Sequence, residues 1–524
     1  MRLPCAIRCS REQKHVAEQE FQPQERLHAL SWLFGLATLI RQFLFPLIAA
    51  ALFGWRDGAP PWLALLILPM LGFAILQQYF YRYGLGPSGL VIREGLFFQN
   101  IRQIDYARIE NVDTERGVLH RLFGVAQVHV ETSTGGKPEA TISVLSVRAA
   151  DALRERIFAA RAGSSASSTA AVEPAQQEEV LLHLPVQEVV KFGLIDNRGI
   201  IVVAGLFGLL HESGLFERWA AGFRDRISLQ AFDELVALGW AIHVTLAASV
   251  LMAAILALRL LSVALALVTL HDFRLVRVGS DFKVRYGLLT RVAGTLRLAR
   301  VQAVHQTEGV LHRWFKRVSV RLDLAGDGSE APQEGSGKVR WLAPIAPPAR
   351  AHELIAVALP DVDLDAPLEW RPLAPRARRR IFKRNAVICT LLALSLTAVL
   401  RSYTPVLIAL IGVPLSWVHA TMYVRHTRWA LQSDVLQFRR GWLTRKLVIV
   451  PRNRIQCVRL GESPFDRRNA MASVSIDTAG SGLHSEIVRV PYLELDVARE
   501  LAAALYSTAA QEPAPVAQGE ALAS

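Results

Sequence analysis

Asp281-Phe-Lys-Val-Arg-Tyr-Gly287-Leu-Leu opens a phrase that the chain writes three times. Arg300-Val-Gln-Ala-Val304 begins 13 residues after Gly287, and Arg313 lies 13 residues beyond Arg300. Upstream, Gly89-Leu-Val-Ile-Arg-Glu-Gly95-Leu-Phe leads at the same two intervals to Arg108-Ile-Glu-Asn-Val112 and Arg121. Downstream, Val435-Leu-Gln-Phe-Arg-Arg-Gly441-Trp-Leu leads in the same way to Arg454-Ile-Gln-Cys-Val458 and Arg467. One doubled interval in three copies defines an internal repeat, and a repeat decides the fold before any single segment does.

The residue types say what each position does. Apolar–polar alternation before Gly95, Gly287 and Gly441 marks a strand, and a polar pair followed by glycine suits a hairpin turn with positive φ. Val128 and Val130, Val320 and Leu322, and Val474 and Ile476 alternate as a later half-buried strand. Gly135-Gly136, Asp327-Gly328 and Ser481-Gly482 follow as turns. Each copy closes in an amphipathic helix, with Ala150, Leu153 and Ile157 on one face in the first, Leu354 and Ala358 in the second, Leu501 and Leu505 in the third. The pattern predicts a small antiparallel barrel or sandwich of about 80 residues, capped by a helix.

An apolar stretch precedes every copy. Of 524 residues, 52% are apolar and 20% charged, against about 25% charged in soluble domains, and mean hydropathy is +0.26. That balance excludes a wholly soluble enzyme and a disordered chain. A spanning helix needs about 20 apolar residues. Residues 30–53 and 62–80 meet this around the polar turn Trp55-Arg56-Asp57-Gly58-Ala59-Pro60-Pro61. The first is not a cleaved signal, because it lacks a small-residue cleavage site and runs into a second span. Residues 192–195 with 200–210 make a third span, interrupted by Asp196-Asn197-Arg198, and the second half of 235–270 makes a fourth. Residues 386–400 and 405–424 complete a third pair across Arg401-Ser402-Tyr403.

The net charge of +13 concentrates beside these spans. Six of the nine residues Arg376 to Arg384 are basic, Arg26 and Arg82 flank the first pair, and Arg425 and Arg428 follow the last. The connection 212–234 carries three arginines against five acids. Positive flanks mark the inner side, so the soluble domains and both termini are expected in the cytoplasm. The expected division is a tail at 1–29, hairpin one at 30–83, domain one at 84–161 and a linker at 162–184. Hairpin two follows at 185–270, domain two at 271–360 and a basic, Pro-rich linker at 361–384. Hairpin three at 385–424, domain three at 425–508 and a tail at 509–524 complete the chain.

A membrane hairpin, a small all-β domain with Gly-Leu and then Arg-Ile/Val-Gln-x-Val, and a capping helix together resemble the bacterial pleckstrin-homology domain of YdbS/YdbT-type membrane proteins. Arg300-Val301-Gln302-Ala303-Val304 and Arg454-Ile455-Gln456-Cys457-Val458 carry the likeness best, and Glu110 replaces the glutamine in copy one. Arg26-Leu27-His28-Ala29-Leu30-Ser31 resembles the stretch before the family's first span. The likeness runs from about residue 24 to 510. It implies an α+β membrane protein: three membrane helical hairpins, each followed by a pleckstrin-homology-like domain at the inner face of the bacterial membrane. It implies no reaction.

The chemistry-bearing motifs point the same way. Gly84-Leu-Gly86-Pro-Ser-Gly89 fits G-x-G-x-x-G, but a dinucleotide site needs a strand before it and a helix after it; here a span precedes and a strand follows. His211-Glu212 and His352-Glu353 lack a second histidine at metalloprotease spacing. Cys5, Cys9, Cys389 and Cys457 form no C-x-x-C, which speaks against zinc and against a disulfide framework. No catalytic constellation, metal site or cofactor is expected.

Basic hairpins remain. Lys283, Arg285 and Arg291 stand on the first hairpin of copy two, and Arg439, Arg440, Arg445 and Lys446 on that of copy three. Copy one has Arg93 there and Arg102 further on. The resemblance marks this as the place where eukaryotic pleckstrin-homology domains hold phosphoinositide headgroups. Beside an anionic surface each such residue is worth about 1 kcal/mol, and tethering raises the effective concentration. The other reading is a solvated, orienting tip. Arg108, Arg300 and Arg454, like Arg121, Arg313 and Arg467, suit a carboxylate, a headgroup or an internal acid, and recurrence favours a fold-holding role. Arg41 and Arg259 fall at membrane depth, where a charge is either functional or snorkels to the interface.

These readings describe a non-enzymatic membrane scaffold that binds anionic phospholipid, itself, or a shorter homologue with the same domain, in a role such as envelope maintenance. A transporter or lipid-handling channel is the alternative. Nucleic acid is not an expected partner, because membrane flanks account for most of the basic residues.

Overall fold

The computed structural model describes residues 25–26, 72, 76, 80–86, 89–94, 100–132, 140–153, 155–156, 179–212, 221–222, 240–279, 281–325, 341–432, 434–479 and 488–509. The first expected span, nearly all of the second, Arg41, Gly95, the three turn pairs and nearly all of both tails lie outside them.

Each copy of the repeat builds the same set of strands. The first has β1 (Glu25–Arg26), β2 (Arg82–Leu85), β3 (Gly89–Glu94) and β4 (Asn100–Asp105), then β5 (Ile109–Arg116), β6 (Val125–Thr132) and β7 (Ala140–Ser146). The second has β8 (Glu179–His183), β9 (Arg274–Val278), β10 (Asp281–Tyr286) and β11 (Arg291–Arg297), then β12 (Val301–Glu308), β13 (Val318–Leu324) and β14 (Trp341–Ala346). The third has β15 (Arg371–Pro372), β16 (Arg428–Leu431), β17 (Val435–Arg440) and β18 (Arg445–Pro451), then β19 (Ile455–Gly461), β20 (Met471–Thr478) and β21 (Val488–Glu494). Helix Pro348–Ala358 closes the second copy and Leu495–Ala509 the third. A helical segment begins at residue 147 in the first.

The expected glycine turns are present at Gly287 (φ +109°) and Gly441 (φ +85°). A Cβ at either would run into the carbonyl oxygen of Thr290 or Thr444, so glycine is required there. The strands alternate as read. Phe282 and Val284 of β10 are fully buried while Arg285 is exposed.

The leading strand of each copy comes from before its membrane segment. β1 pairs with β2, β8 with β9 and β15 with β16. The expected linkers therefore shrink. Residues 179–183 leave the 162–184 tether, and 371–372 leave the 361–384 linker. The basic run also joins a helix, Ala377–Leu400, rather than preceding one. Strands this short, separated from their partners by a whole membrane segment, leave no local alternation to read.

The sheets do not end at the domain boundaries. β5 of the first domain pairs with β11 of the second, giving the order β7-β6-β5-β11-β10-β9-β8. β12 of the second pairs with β18 of the third, giving β14-β13-β12-β18-β17-β16-β15. Both junctions use one register. The eighth residue after the repeat arginine faces the fourth after the repeat glycine, as Arg116 opposite Arg291 and as Glu308 opposite Arg445. Hydrophobic cores follow the sheets across the boundary: Val435 and Ile449 of the third domain join the second domain's core, and Ala303 of the second joins the third's.

Among the described residues, three helices are long and apolar enough to cross a membrane: Val244–Thr269, Ala377–Leu400 and Thr404–His426. They occupy the expected fourth, fifth and sixth spans. The third expected span divides at Asp196-Asn197 into Val186–Ile195 and Arg198–Glu212. Val189 and Phe192 are buried in the second domain's core, so residues 192–195 serve that domain. Arg198–Glu212 is a helix of 15 described residues.

Candidate functional site

Two of the repeat arginines bridge the junctions between domains. Arg121, on the short helix Val118–Leu122, donates to the carbonyl of Leu288 across the first junction at 2.7 Å. Arg313, on Val310–Trp314, donates to the carbonyl of Trp442 across the second at 2.8 Å. The acceptor in both cases is the residue after the repeat glycine. Each hairpin turn of domains two and three is therefore engaged by the domain before it. Arg300 acts within its own domain and donates to Ala325, whose backbone N–H returns a bond to the Arg300 carbonyl at 2.8 Å. Arg108 is exposed, Arg454 is half-buried, and Arg467 is exposed at the free end of the row.

The basic hairpin residues divide into two groups. Arg445 forms an ion pair with Glu308 of the preceding domain at 3.7 Å. Arg291 faces Arg116, and Lys446 faces Thr307, both inside junctions. Arg285 and Arg439 point outward and are exposed. They stand at one repeat position, two residues before the glycine, with Arg93 as the third member. Each lies opposite another arginine on the strand that leaves the membrane segment: Arg82 opposite Arg93, Arg274 opposite Arg285, Arg428 opposite Arg439. Like charges directly opposite one another weaken an antiparallel pair, yet the arrangement occurs in all three domains. Arg428 lies two residues past Thr404–His426 and Arg274 five past Val244–Thr269, so both pairs stand where the chain emerges from a span. Sequence reading placed Arg82 and Arg428 among the flanking charges, and only the register shows that they face Arg93 and Arg439.

Membrane helices are tied to the domains by further charges. Along helix Ala377–Leu400 and its cap, Arg376, Arg380 and Arg384 recur at a spacing of four and face the third domain. They reach the Asn469 carbonyl at 3.3 Å, Asp466 Oδ1 at 3.3 Å and Tyr492 Oη at 3.1 Å. Asp466 is buried and also closes a capping box with Ser463. That spacing was visible in the basic run, though it reads equally as an orienting flank. In domain two, Arg317 makes a two-point contact with Glu188 of helix Val186–Ile195, both distances 2.8 Å. Lys191 adds a third bond at 2.8 Å. Arg317's hydrogen bonds hold the Glu188 carboxyl down at about 2, against an ordinary 4.5.

A folded-state pKa below the unfolded one gives stability that is present at neutral pH and lost as pH falls from about 4.5 towards 2. With solvent screening at this partly exposed pair, the contribution is about 1–2 kcal/mol. Glu188→Gln is expected to lose most of it at pH 7 and less than half of it at pH 3, where the folded carboxyl is still largely ionised. Hydrogen exchange of residues 186–195 in the two proteins at both pH values reads this directly. Equal protection at pH 7 would show that the pair does not anchor the helix.

Arg259 of helix Trp240–Thr269 donates to the carbonyls of Leu194 (3.1 Å) and Asp196 (3.3 Å) and to Asn197 Oδ1 (2.8 Å). It caps the broken helix end. Among the described residues no three His, Cys, Asp or Glu side chains gather as metal ligands.

Three strand-linked domains, joined in series and accompanied by apolar helices, define a membrane protein built from repeated pleckstrin-homology-like units. The family model for the bacterial PH domain matches residues 33–161, 229–357 and 387–509, most of the chain, which belongs to that family. Among curated proteins, the chain is similar to the transmembrane protein YdbT of Bacillus subtilis (strain 168). The two are 21% identical over 487 residues, covering 88% of this chain and 94% of YdbT. No solved structure matches.

Proposed function

We propose that the chain is a non-enzymatic scaffold of the bacterial inner membrane, whose six spans in three hairpins hold three cytoplasmic domains as one continuous assembly surface. The observation that carries this reading is the pair of junctions, with one register and one arginine clamp, which turns three domains into a single row. A row fixed in this way presents partner surfaces at set spacings, as a scaffold requires. Arg259 has backbone and amide acceptors rather than an acidic partner, so it gives the transporter alternative no support. The full-length protein, extracted gently from its own membrane, should run in native mass spectrometry with protein at fixed stoichiometry. Substrate turnover that follows the protein through purification and is lost on point mutation would overturn the reading.

The arginine pairs favour a second property, contact with anionic phospholipid. Two guanidiniums held opposite each other at a span exit match a phosphate placed between them, and the headgroup relieves their repulsion. At about 1 kcal/mol per arginine, roughly fivefold each, Arg285→Gln with Arg439→Gln should cut retained anionic lipid by an order of magnitude in native mass spectra. Unchanged retention would assign the pairs to orientation alone.

A further inference from the structure

Among the described residues the row ends in two complementary unpaired edges. β4 is the first domain's counterpart of β11 and β18, and β19 is the third domain's counterpart of β5 and β12. The four counterparts are paired across junctions, whereas β4 ends its sheet in the order β1-β2-β3-β4 and β19 ends its own in β19-β20-β21. We infer that the β19 edge of one chain pairs with the β4 edge of a second copy, in the register of the two internal junctions, so that copies join head to tail.

Three observations converge on this. The first is burial. Gln302, Ala303 and Val304 of β12 are buried, but their counterparts Gln456 and Cys457 on β19 are exposed and Val458 is only partly covered. Val448 and Ile449 of β18 are buried, but their counterparts Arg102 and Gln103 on β4 are exposed. The second is chemistry at the register position. The common register places Leu460 opposite Ile101, the counterparts of Gln306 opposite Leu447 in the second junction. Leu460 is 38% exposed and Ile101 61% exposed, whereas Leu447 packs against the core. An exposed branched aliphatic on each of two open edges, meeting in one register, fits a second copy better than solvent. The third is the clamp. Arg467 is the counterpart of Arg121 and Arg313. It lies exposed beside β19, and its guanidinium meets no acceptor among the described residues.

The same register sets Arg459 against Arg102, a like-charge pair. The first internal junction already carries one, Arg116 opposite Arg291. The contact is heterologous, so successive copies close into a ring or extend as a row, and tethering to one bilayer keeps all copies on one surface. This deepens the scaffold reading by naming the partner. A monomeric chain that holds a different protein would preserve that reading and defeat this one.

The test is directed cross-linking in the membrane. With Cys5, Cys9, Cys389 and Cys457 changed to serine, Ile101→Cys is placed in one tagged full-length chain and Leu460→Cys in another, and the two are co-expressed. Opposite residues of an antiparallel pair lie within disulfide reach. The expected result is a covalent dimer of unlike tags, with little dimer in either chain expressed alone. Carrying both cysteines, one chain should give a ladder of oligomers. Adding Ile101→Lys to the Leu460→Cys chain leaves its own cysteine available and should not block the unlike dimer. In the cysteine-free native-edge protein, by contrast, Ile101→Lys should shift assemblies in native mass spectra towards single chains by tenfold or more. Ile101 is exposed, so the lysine spares the domain's own core. Cross-linking within one chain only, equal dimers of like tags, capture of a different protein alone, or no cross-link at all would each overturn the inference.

Discussion

Gly287→Val is expected to unfold the first hairpin of the second domain and to release the first domain with it. At φ +109° the valine backbone would sit in a region that side chains avoid, and its Cβ would meet the Thr290 carbonyl. Such a residue costs about 1–3 kcal/mol for the backbone alone, before the clash and the β-branch are counted. The damage spreads because the next carbonyl, that of Leu288, is the acceptor for Arg121, and β11 carries the junction with β5. At roughly 4–8 °C per kcal/mol for a domain of this size, the second domain's melting temperature should fall by 10 °C or more. Limited proteolysis should then cut between the first two domains. Gly124→Asn is the control. That glycine also has positive φ, +65°, but nothing lies within 4 Å of a Cβ there, and asparagine tolerates the conformation. If Gly287→Val melts with the unaltered protein, the turn does not hold the junction.

That position was legible in the sequence because glycine and the strand around it are local signals. The last two spans were legible for the same reason: their apolar runs need no partner to be read. The junctions were not. Gln306, Thr307 and Lys446 look like solvent-facing residues of an edge, and their partners lie in another copy. Arg121 and Arg313 donate to backbone carbonyls, which every residue offers, so no partner side chain marks them. Recurrence suggested a holding role within each copy, whereas Arg121 and Arg313 reach into the next domain, which a single repeat cannot show. The leading strands were hidden by distance: β8 meets β9 only after Val186–Ile195 and the helices beyond it have intervened. The Arg376 to Arg384 run carried two messages at once, orientation and attachment, and the spacing of four that distinguishes them becomes meaningful only beside Asp466 and Tyr492.

One design connects these features. The second and third units each begin with a strand, continue into long apolar helices, and return to complete the sheet they started. The membrane segment is thus an insertion between neighbouring strands rather than a tether at the end of a domain. Short connections such as Thr427, between helix Thr404–His426 and β16, leave little slack. A displacement of a helix pair is therefore expected to reach its own sheet first.

Gly193→Val tests that coupling at its tightest point. Gly193 lies on helix Val186–Ile195, where a Cβ would stand 2.5 Å from Val263 Cα and 3.1 Å from the Ser262 carbonyl. Both are backbone atoms of the spanning helix Trp240–Thr269, so no side-chain rotation can relieve the contact. Beyond the break, Gly199 N–H donates to Ser262 Oγ at 3.0 Å, and Arg259 caps the broken helix between them. Valine at 193 must therefore force the two helices apart, at a cost typical of overpacking, about 1–3 kcal/mol or more. Separation withdraws Val189 and Phe192 from the second domain's core, and burying those two side chains is worth about 1.5–3 kcal/mol each. The expected result is loss of hydrogen-exchange protection across 186–195, together with a weakened Glu188–Arg317 contact, while the β12–β18 junction on the far side of the domain stays protected. If 186–195 keeps full protection, the helix is held by the domain alone and the spanning helix carries no information into the row. If β12 and β18 also lose protection, membrane and junction are one cooperative unit, and the row of domains responds as a whole to what its helices meet in the bilayer.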